Sequence, residues 1–472
     1  MSATGVQPTG ATARRILAPL ALAQFICSFA GSNMNVMIND ISEDLDTTVA
    51  GVQVTITLFL LIMAILMIPC SKLTDRWGRK RCFIGGLVLY GIGAVLSAVS
   101  PSLGVLIIGN SVLEGVGTAF LIPPVYILTT MAFSDLTSRA RAFGVVSGLG
   151  GIGAAAGPLI GGLITEAITW RAAFIFQAAV IVVIILLSRR VVDPLPPDPT
   201  RPFDAVGAVL SAVGMFFVVF GILQADNDGV LMAVLLAVGA VLLASFFVHI
   251  RSRERAGREP LLSTKLFKNR TSNLALVTQN LQWLLLMGTS FVVAVFLQTV
   301  RGYNAIETGV IFTAATLGVL VSSLAAERLA KRYSQKSLIA AGFVVTAVGI
   351  GVLLALVEAS SRVVAFAPGL ALIGLGLGVM LTPSVNVVQS SFPEQQQGEI
   401  SGLSRSISNL GSSFGTAIAG TILVSDLASG NTTYVIAMVV LAALAFVGLV
   451  VSLMLPDNTG QRTVPAATPQ PA

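Results

Sequence analysis

Few side chains in this sequence could do chemistry, and those few sit inside long apolar runs. The clearest is Glu114, in the stretch Asn110-Ser-Val-Leu-Glu114-Gly115-Val-Gly117. It is a lone carboxyl near the middle of the run 103–130, and Asn110, four residues earlier, shares its helix face. A charge at mid-bilayer costs roughly 2.5–3.5 kcal/mol on insertion scales. A lone carboxyl there is expected to hold its proton or to face water, and either suits a group that takes up a proton on one side and releases it on the other. The alternative is a structural acid, protonated and bonded to a neighbouring helix. We favour exchange, with Asn110 as the hydrogen-bond partner. Arg405 is the one basic residue well inside an apolar run, since Arg328 and Arg362 sit at run ends and count with the turns. It either snorkels to the nearer aqueous face or meets substrate. Gln24, Asn33, Gln279, Asn280, Gln282, Asn386 and Asn409 are uncharged polar groups in apolar runs. Some are expected to line a cavity and others to bond helix to helix. The cavity candidates are Gln24, Asn33, Gln279, Gln282, Asn386 and Arg405.

Other chemistry is argued against. A nucleophile–base set or a metal site needs more than the single histidine, His249, which reads as an interfacial residue beside Arg251. No G-x-x-x-x-G-K-[ST] occurs, so that ATP-binding motif is absent, and the G-x-S-x-G at Gly411-Ser-Ser413-Phe-Gly415 lies inside an apolar run, where a nucleophile elbow needs a strand-to-helix turn. Cys27, Cys70 and Cys82 have no disulfide or metal spacing and read as small core residues. No cofactor is expected. Gly148, Gly150 and Gly153 form a literal G-x-G-x-x-G, but a dinucleotide site needs a preceding strand, and this one lies in an apolar run.

The elements that must hold these groups are membrane spans. The chain of 472 residues is 55% hydrophobic and 11% charged, with mean hydropathy +0.88, whereas a soluble domain carries about 25% charge. A spanning helix needs about 20 mostly apolar residues. Fourteen such runs occur: 16–38, 51–70, 82–100, 103–130, 142–167, 172–188, 204–223, 229–250, 272–300, 307–329, 337–357, 362–388, 400–424 and 434–454. The run after Arg14-Arg15 is too long for a signal-peptide core, so an uncleaved first span is expected. With the N-terminus inside, 24 of the 28 Lys and Arg residues fall in cytoplasmic turns or tails, as the positive-inside rule requires. That same placement argues against nucleic acid as the partner of the net +6 charge. Both termini are expected in the cytoplasm.

The turn Ser71–Arg81, SKLTDRWGRKR, has a weak echo at Ala326–Lys336, AERLAKRYSQK. Eight runs separate them, two more than a six-plus-six duplication allows. The expected organisation is a tail at 1–15, a six-helix bundle at 16–190, a linker carrying an inserted hairpin at 191–270, a second bundle at 271–455 and a tail at 456–472. Parallel repeats of this kind place a substrate site between the halves near mid-membrane.

The turn also resembles the loop signature of the major facilitator superfamily, through Asp75, Arg76, Gly78, Arg79 and Lys80. In that family the loop latches the two halves in one state. Gly153, Gly157, Pro158, Gly161 and Gly162 resemble the glycine-proline signature of its exporters. Trp170, Arg171 and Phe174, then Gly302, Tyr303, Thr308 and Gly309, and Gly374, Gly376, Gly378 and Pro383 resemble further signatures. With fourteen runs, the chain resembles the fourteen-helix drug:proton antiporters. It departs from them where the first span carries Ala30 in place of an acid, and where the fourth lacks the signature's arginine and carries Glu114 where glutamine is usual. The resemblance implies an all-α major facilitator fold and a monomer in the plasma membrane. It further implies a small-molecule substrate, protons and lipids as partners, and proton-coupled export of hydrophobic or amphipathic compounds by alternating access. A specific exporter of a lipid or metabolite without standard coupling is the alternative, and a non-transporting receptor is the other class to separate.

Overall fold

Each apolar run lies on a helix. The computed structural model describes residues 10–133, 136–189, 191, 193, 196–200, 202–224, 228–359, 363–392, 396–424 and 431–457. The expected tails therefore lie largely outside the described residues. The long helices are α1 (Gly10–Asn33), α2 (Val49–Trp77), α3 (Arg79–Ala98), α4 (Leu103–Thr129), α5 (Leu136–Ala167), α6 (Trp170–Ser188), α7 (Ala205–Leu223), α8 (Gly229–Arg255), α9 (Arg270–Val300), α10 (Ala305–Arg332), α11 (Gln335–Ala359), α12 (Ala367–Ser390), α13 (Gln397–Val424) and α14 (Asn431–Leu453).

Among the described residues, twelve helices are long and apolar enough to cross a membrane, and thirteen if the bent α5 counts as one. The expected fourteen are not reached on those grounds. α5 breaks by 43° between Gly148–Ala154 and Ala156–Ala167, because Pro158 has no N–H for the carbonyl of residue 154 and its ring crowds that turn. α13 falls short because it carries Ser401, Ser404, Ser406, Ser408, Ser412, Ser413 and Thr416, which have packing partners in place of lipid.

Side chains and glycines fix the helix ends. Gly78 ends α2 and starts α3 with φ +97°, where a side chain would be strained. Thr48, Asp228 and Asn304 accept backbone N–H bonds at the starts of α2, α8 and α10, and Asn304 with Glu307 forms a reciprocal capping box. The end holding the Gly78 turn is called the basic end and the opposite one the far end.

Helices α1–α6 pack on one another and α9–α14 do the same. Two seams join the sets, α2 against α13 and α5 against α10. Along the first, Ser406 Oγ donates to Ala64 O (2.6 Å), Ser413 Oγ to Thr57 O (3.2 Å), and Gln53 Nε2 to Ala417 O (3.3 Å). At the basic end Lys72 Nζ reaches Glu399 (2.6 Å) of α13 and Glu259 (3.0 Å) of the linker after α8. The pair α7–α8 forms a hairpin. Val219 and Leu223 of α7 pack with Leu61 of α2 and Ala417 of α13, so the hairpin covers that seam. Asp204 ties the base of the hairpin: it accepts from Gly207 N (3.0 Å) and Leu261 N (3.2 Å), and His249 Nε2 lies 2.9 Å from it. His249 is thus a partner of a buried acid.

Candidate functional site

Glu114 closes a stretch of α4, Ile107–Glu114, wound as a π-helix. Such stretches are rare and recur at functional sites. The Glu114 side chain is fully buried, turned toward α3. Ser97 Oγ donates to its Oε1 (3.4 Å) and Asn110 Nδ2 to its Oε2 (3.4 Å). The spacing that put Asn110 beside Glu114 in the sequence thus brings the two together. The helices approach closely because α3 has Gly93 at this level; a Cβ there would lie 2.8 Å from Glu114 Cγ. The Tyr90 hydroxyl adjoins the carboxyl and also donates to Gln177 of α6. No cation lies within ion-pair reach of Glu114 among the described residues. Every group around it is a neutral dipole.

A second cluster joins the two helix sets. The Arg405 guanidinium, from α13, stands over the ring of Tyr126 of α4, 4.5 Å from its centroid, and donates to the Tyr126 oxygen. Tyr126 O–H donates to Gln24 Oε1 of α1 (3.1 Å), and Gln24 Nε2 donates to Ser28 Oγ (3.2 Å). Two of the cavity candidates, Gln24 and Arg405, therefore meet through a tyrosine.

The remaining candidates are placed differently. Gln282 accepts from Ser384 Oγ (2.8 Å) and Gln279 from Ser404 Oγ (2.9 Å), so both bond helix to helix. Asn33 is fully buried against Gly161 of α5, and neither of its amide atoms has a partner among the described residues. Asn386 is exposed on α12 beside exposed Thr382 and Ser390. In the basic turn, Lys80 N–H donates to Asp193 Oδ2 (3.1 Å) and Lys80 Nζ to Arg189 O (3.2 Å). Arg79 is buried, Arg76 half-buried, and the Asp75 side chain lies outside the described residues. The contact across to the second helix set comes from Lys72, one turn before Arg76.

The glycine-proline stretch divides between two neighbours. Gly153, Gly157 and Gly161 lie against Phe25, Ser32 and Asn33 of α1, whereas Pro158 and Gly162 meet Gly309 and Ala305 of α10. One face closes the first bundle and the other touches the second. At the far end Gln298 of α9 completes the closure: its Nε2 donates to Asn35 O (2.8 Å) and its Oε1 accepts from Asn39 N (3.3 Å).

The family model described as Major Facilitator Superfamily matches residues 20–304 and 275–472. The chain belongs to the Major Facilitator Superfamily. Its relatives include the multidrug efflux pump LfrA of Mycolicibacterium smegmatis, 29% identical over 86% of this chain and 80% of that protein. The puromycin resistance protein pur8 of Streptomyces alboniger is 28% identical over 86% and 81%. The riboflavin transporter RibZ of Clostridioides difficile is 24% identical over 94% and 98%. This member of the superfamily is thus a multi-pass membrane protein of a family of transporters, with efflux pumps among its relatives.

Sequence reasoning missed several groups of this superfamily member. Tyr126, Ser97 and Tyr90 look like ordinary residues of apolar runs, and nothing local marks them. Gln177, Gln298 and Gln53 carried a signal, an amide in an apolar stretch, which went unused.

Proposed function

We propose that the protein is a proton-coupled exporter of hydrophobic or amphipathic compounds, working by alternating access between the α1–α6 and α9–α14 bundles. All fourteen long helices cross the membrane, both termini and the basic end face the cytoplasm, and the monomer is the working unit. The observation that carries this reading is Glu114, a fully buried carboxyl bonded to neutral Ser97 and Asn110. An anion there would lack a counter-charge in a medium of low dielectric. Taking up a proton settles that cost, and giving it up requires the bundle to admit water or a new partner. The proton thereby couples to bundle rearrangement. The efflux pumps among the relatives support export.

The basic latch sets one state of the cycle. Lys72 holds α13 through Glu399 at the cytoplasmic end, and Gln298 holds the outer ends of α1 and α9 together. Pro158 and Gly162 of α5 give the outer seam a close backbone fit that can slide without interlocked side chains.

The test is flux in vesicles of reconstituted protein under an imposed pH gradient, with Glu114→Gln as control. Gradient-driven accumulation that vanishes in the variant supports the reading, and accumulation that survives unchanged rejects it. A second reading is specific export or facilitation of a metabolite without standard coupling. It is favoured by Ala30 in the first span, where an acid is usual, and by the riboflavin transporter among the relatives. Flux indifferent to pH in the wild type would select it.

A further inference from the structure

We propose that Arg405, Tyr126 and Gln24 form a recognition subsite for one anionic group on an aromatic cargo. This rests on the carrier reading above and names the class of compound carried. Arg405 is the one cation well inside an apolar run, Arg328 and Arg362 lying at the ends of theirs, and no carboxylate lies within ion-pair distance of it among the described residues. A guanidinium offers five donors in a planar fork. Among the described residues Arg405 uses that fork for one acceptor, the Tyr126 oxygen.

The position suits a cargo site. Arg405 comes from the second bundle, and Tyr126 and Gln24 come from the first. The contact is therefore remade or broken whenever the bundles shift. Arg405 is half-buried, so a face of it remains accessible. One turn further along α13, Asn409 is polar and half-buried.

The chemistry then selects. A carboxylate can take the guanidinium fork with two parallel bonds, which a phenol, with a single oxygen, cannot. The guanidinium carbon already stands 4.5 Å over the Tyr126 ring, and a planar aromatic body can lie against the guanidinium's other face. Gln24 can donate or accept once Tyr126 O–H turns away. A compound with a net positive charge meets an uncompensated cation instead. The cargo class is a planar aromatic with a single acidic group, and lipophilic cations are disfavoured.

The experiment is equilibrium binding to the purified full-length protein of two matched probes, 1-naphthoate and 1-naphthylmethylammonium. Wild type, Arg405→Gln, Arg405→Lys and Tyr126→Phe are compared, with flux of both probes measured in vesicles. Wild type is expected to bind naphthoate at least about tenfold more tightly than the cation. Arg405→Gln is expected to lose that preference, Arg405→Lys to keep part of it, and Tyr126→Phe to change it by less than Arg405→Gln. A ratio unchanged in Arg405→Gln, or a wild type that prefers the cation or binds neither probe, overturns the proposal. Arg405-dependent binding without flux of either probe would overturn the carrier reading and leave the subsite standing. Flux of naphthoate that ignores Arg405 would do the reverse.

Discussion

Gln53 of α2 donates its side-chain amide to the backbone carbonyls of Thr416 (3.5 Å) and Ala417 (3.3 Å) of α13, directly beside Gly420. A Cβ at Gly420 would occupy the space of the Gln53 amide. Gly420→Val is therefore expected to push Gln53 out and to lower stability by about 1–3 kcal/mol, the usual range for overpacking. Gln53→Leu removes the donor and leaves two carbonyls that keep their helical bonds, a smaller loss of about 1 kcal/mol. Unfolding of the detergent-solubilised protein, followed by circular dichroism, measures both.

The serines of the same seam supply a graded series. Ser406→Ala and Ser413→Ala each delete one buried hydroxyl bond between the bundles, to Ala64 and Thr57. Each should cost about 1 kcal/mol, and the two sites, seven residues apart on α13, should add. Additivity is read from the double variant in the same unfolding assay.

Glu114→Gln keeps the shape and hydrogen-bonding capacity of the protonated acid, so its unfolding midpoint is expected near that of the wild type. Glu114→Leu leaves the Ser97 hydroxyl and the Asn110 amide without their present acceptor and should destabilise by about 1–3 kcal/mol. A large loss in the glutamine variant would mean that the anion, bonded by Ser97 and Asn110, is the resident species.

These sites show how legibility in the sequence depended on scale. The helices were readable because apolar length is a property of each run alone. The crossing status of α13 was not, because its serines answer to Ala64 and Thr57 on a helix more than 300 residues earlier. Asn110 was found from Glu114 because one helix turn separates them, whereas Ser97 and Tyr90 reach Glu114 from another helix. Arg405 stood out as a lone cation, but its partner Tyr126 did not, since a tyrosine in an apolar run is unremarkable until the fold sets it opposite a charge. Asn33 and Gln282 looked like cavity polar groups by type alone; their burial against α5 and α12 is a matter of helix rotation, which a short window does not specify.

Lys72 links α2 to both Glu399 and Glu259. All three side chains are partly solvent-exposed, so the Lys72–Glu399 coupling in a double-mutant cycle should be modest, about 0.5–1 kcal/mol, and should fall with added salt. Lys72→Met should also loosen the basic end, seen as faster cysteine labelling of that end of the α2–α13 seam than in the wild type.

Asp204 gives the hairpin a pH dependence. Burial by itself would raise its carboxyl, but hydrogen bonds from Gly207, His249 and Leu261 together with the nearby Arg253 outweigh it and hold the group below its ordinary value. A lowered folded value means that the stabilisation is complete above the unfolded value, about 3.9. It is lost as pH falls from there through the folded value. The stability difference between wild type and Asp204→Asn should therefore be constant from neutral pH to about 5 and should shrink below about 4, as read by unfolding across that range.

The most direct test of the central claim is proton movement itself. Protein reconstituted in vesicles, given an imposed pH gradient and a fluorescent amphipathic cargo, should accumulate cargo against its gradient and move protons the other way. Glu114→Gln should still exchange cargo at equilibrium but move no protons and build no gradient. Proton movement and uphill accumulation that persist in Glu114→Gln would contradict the account.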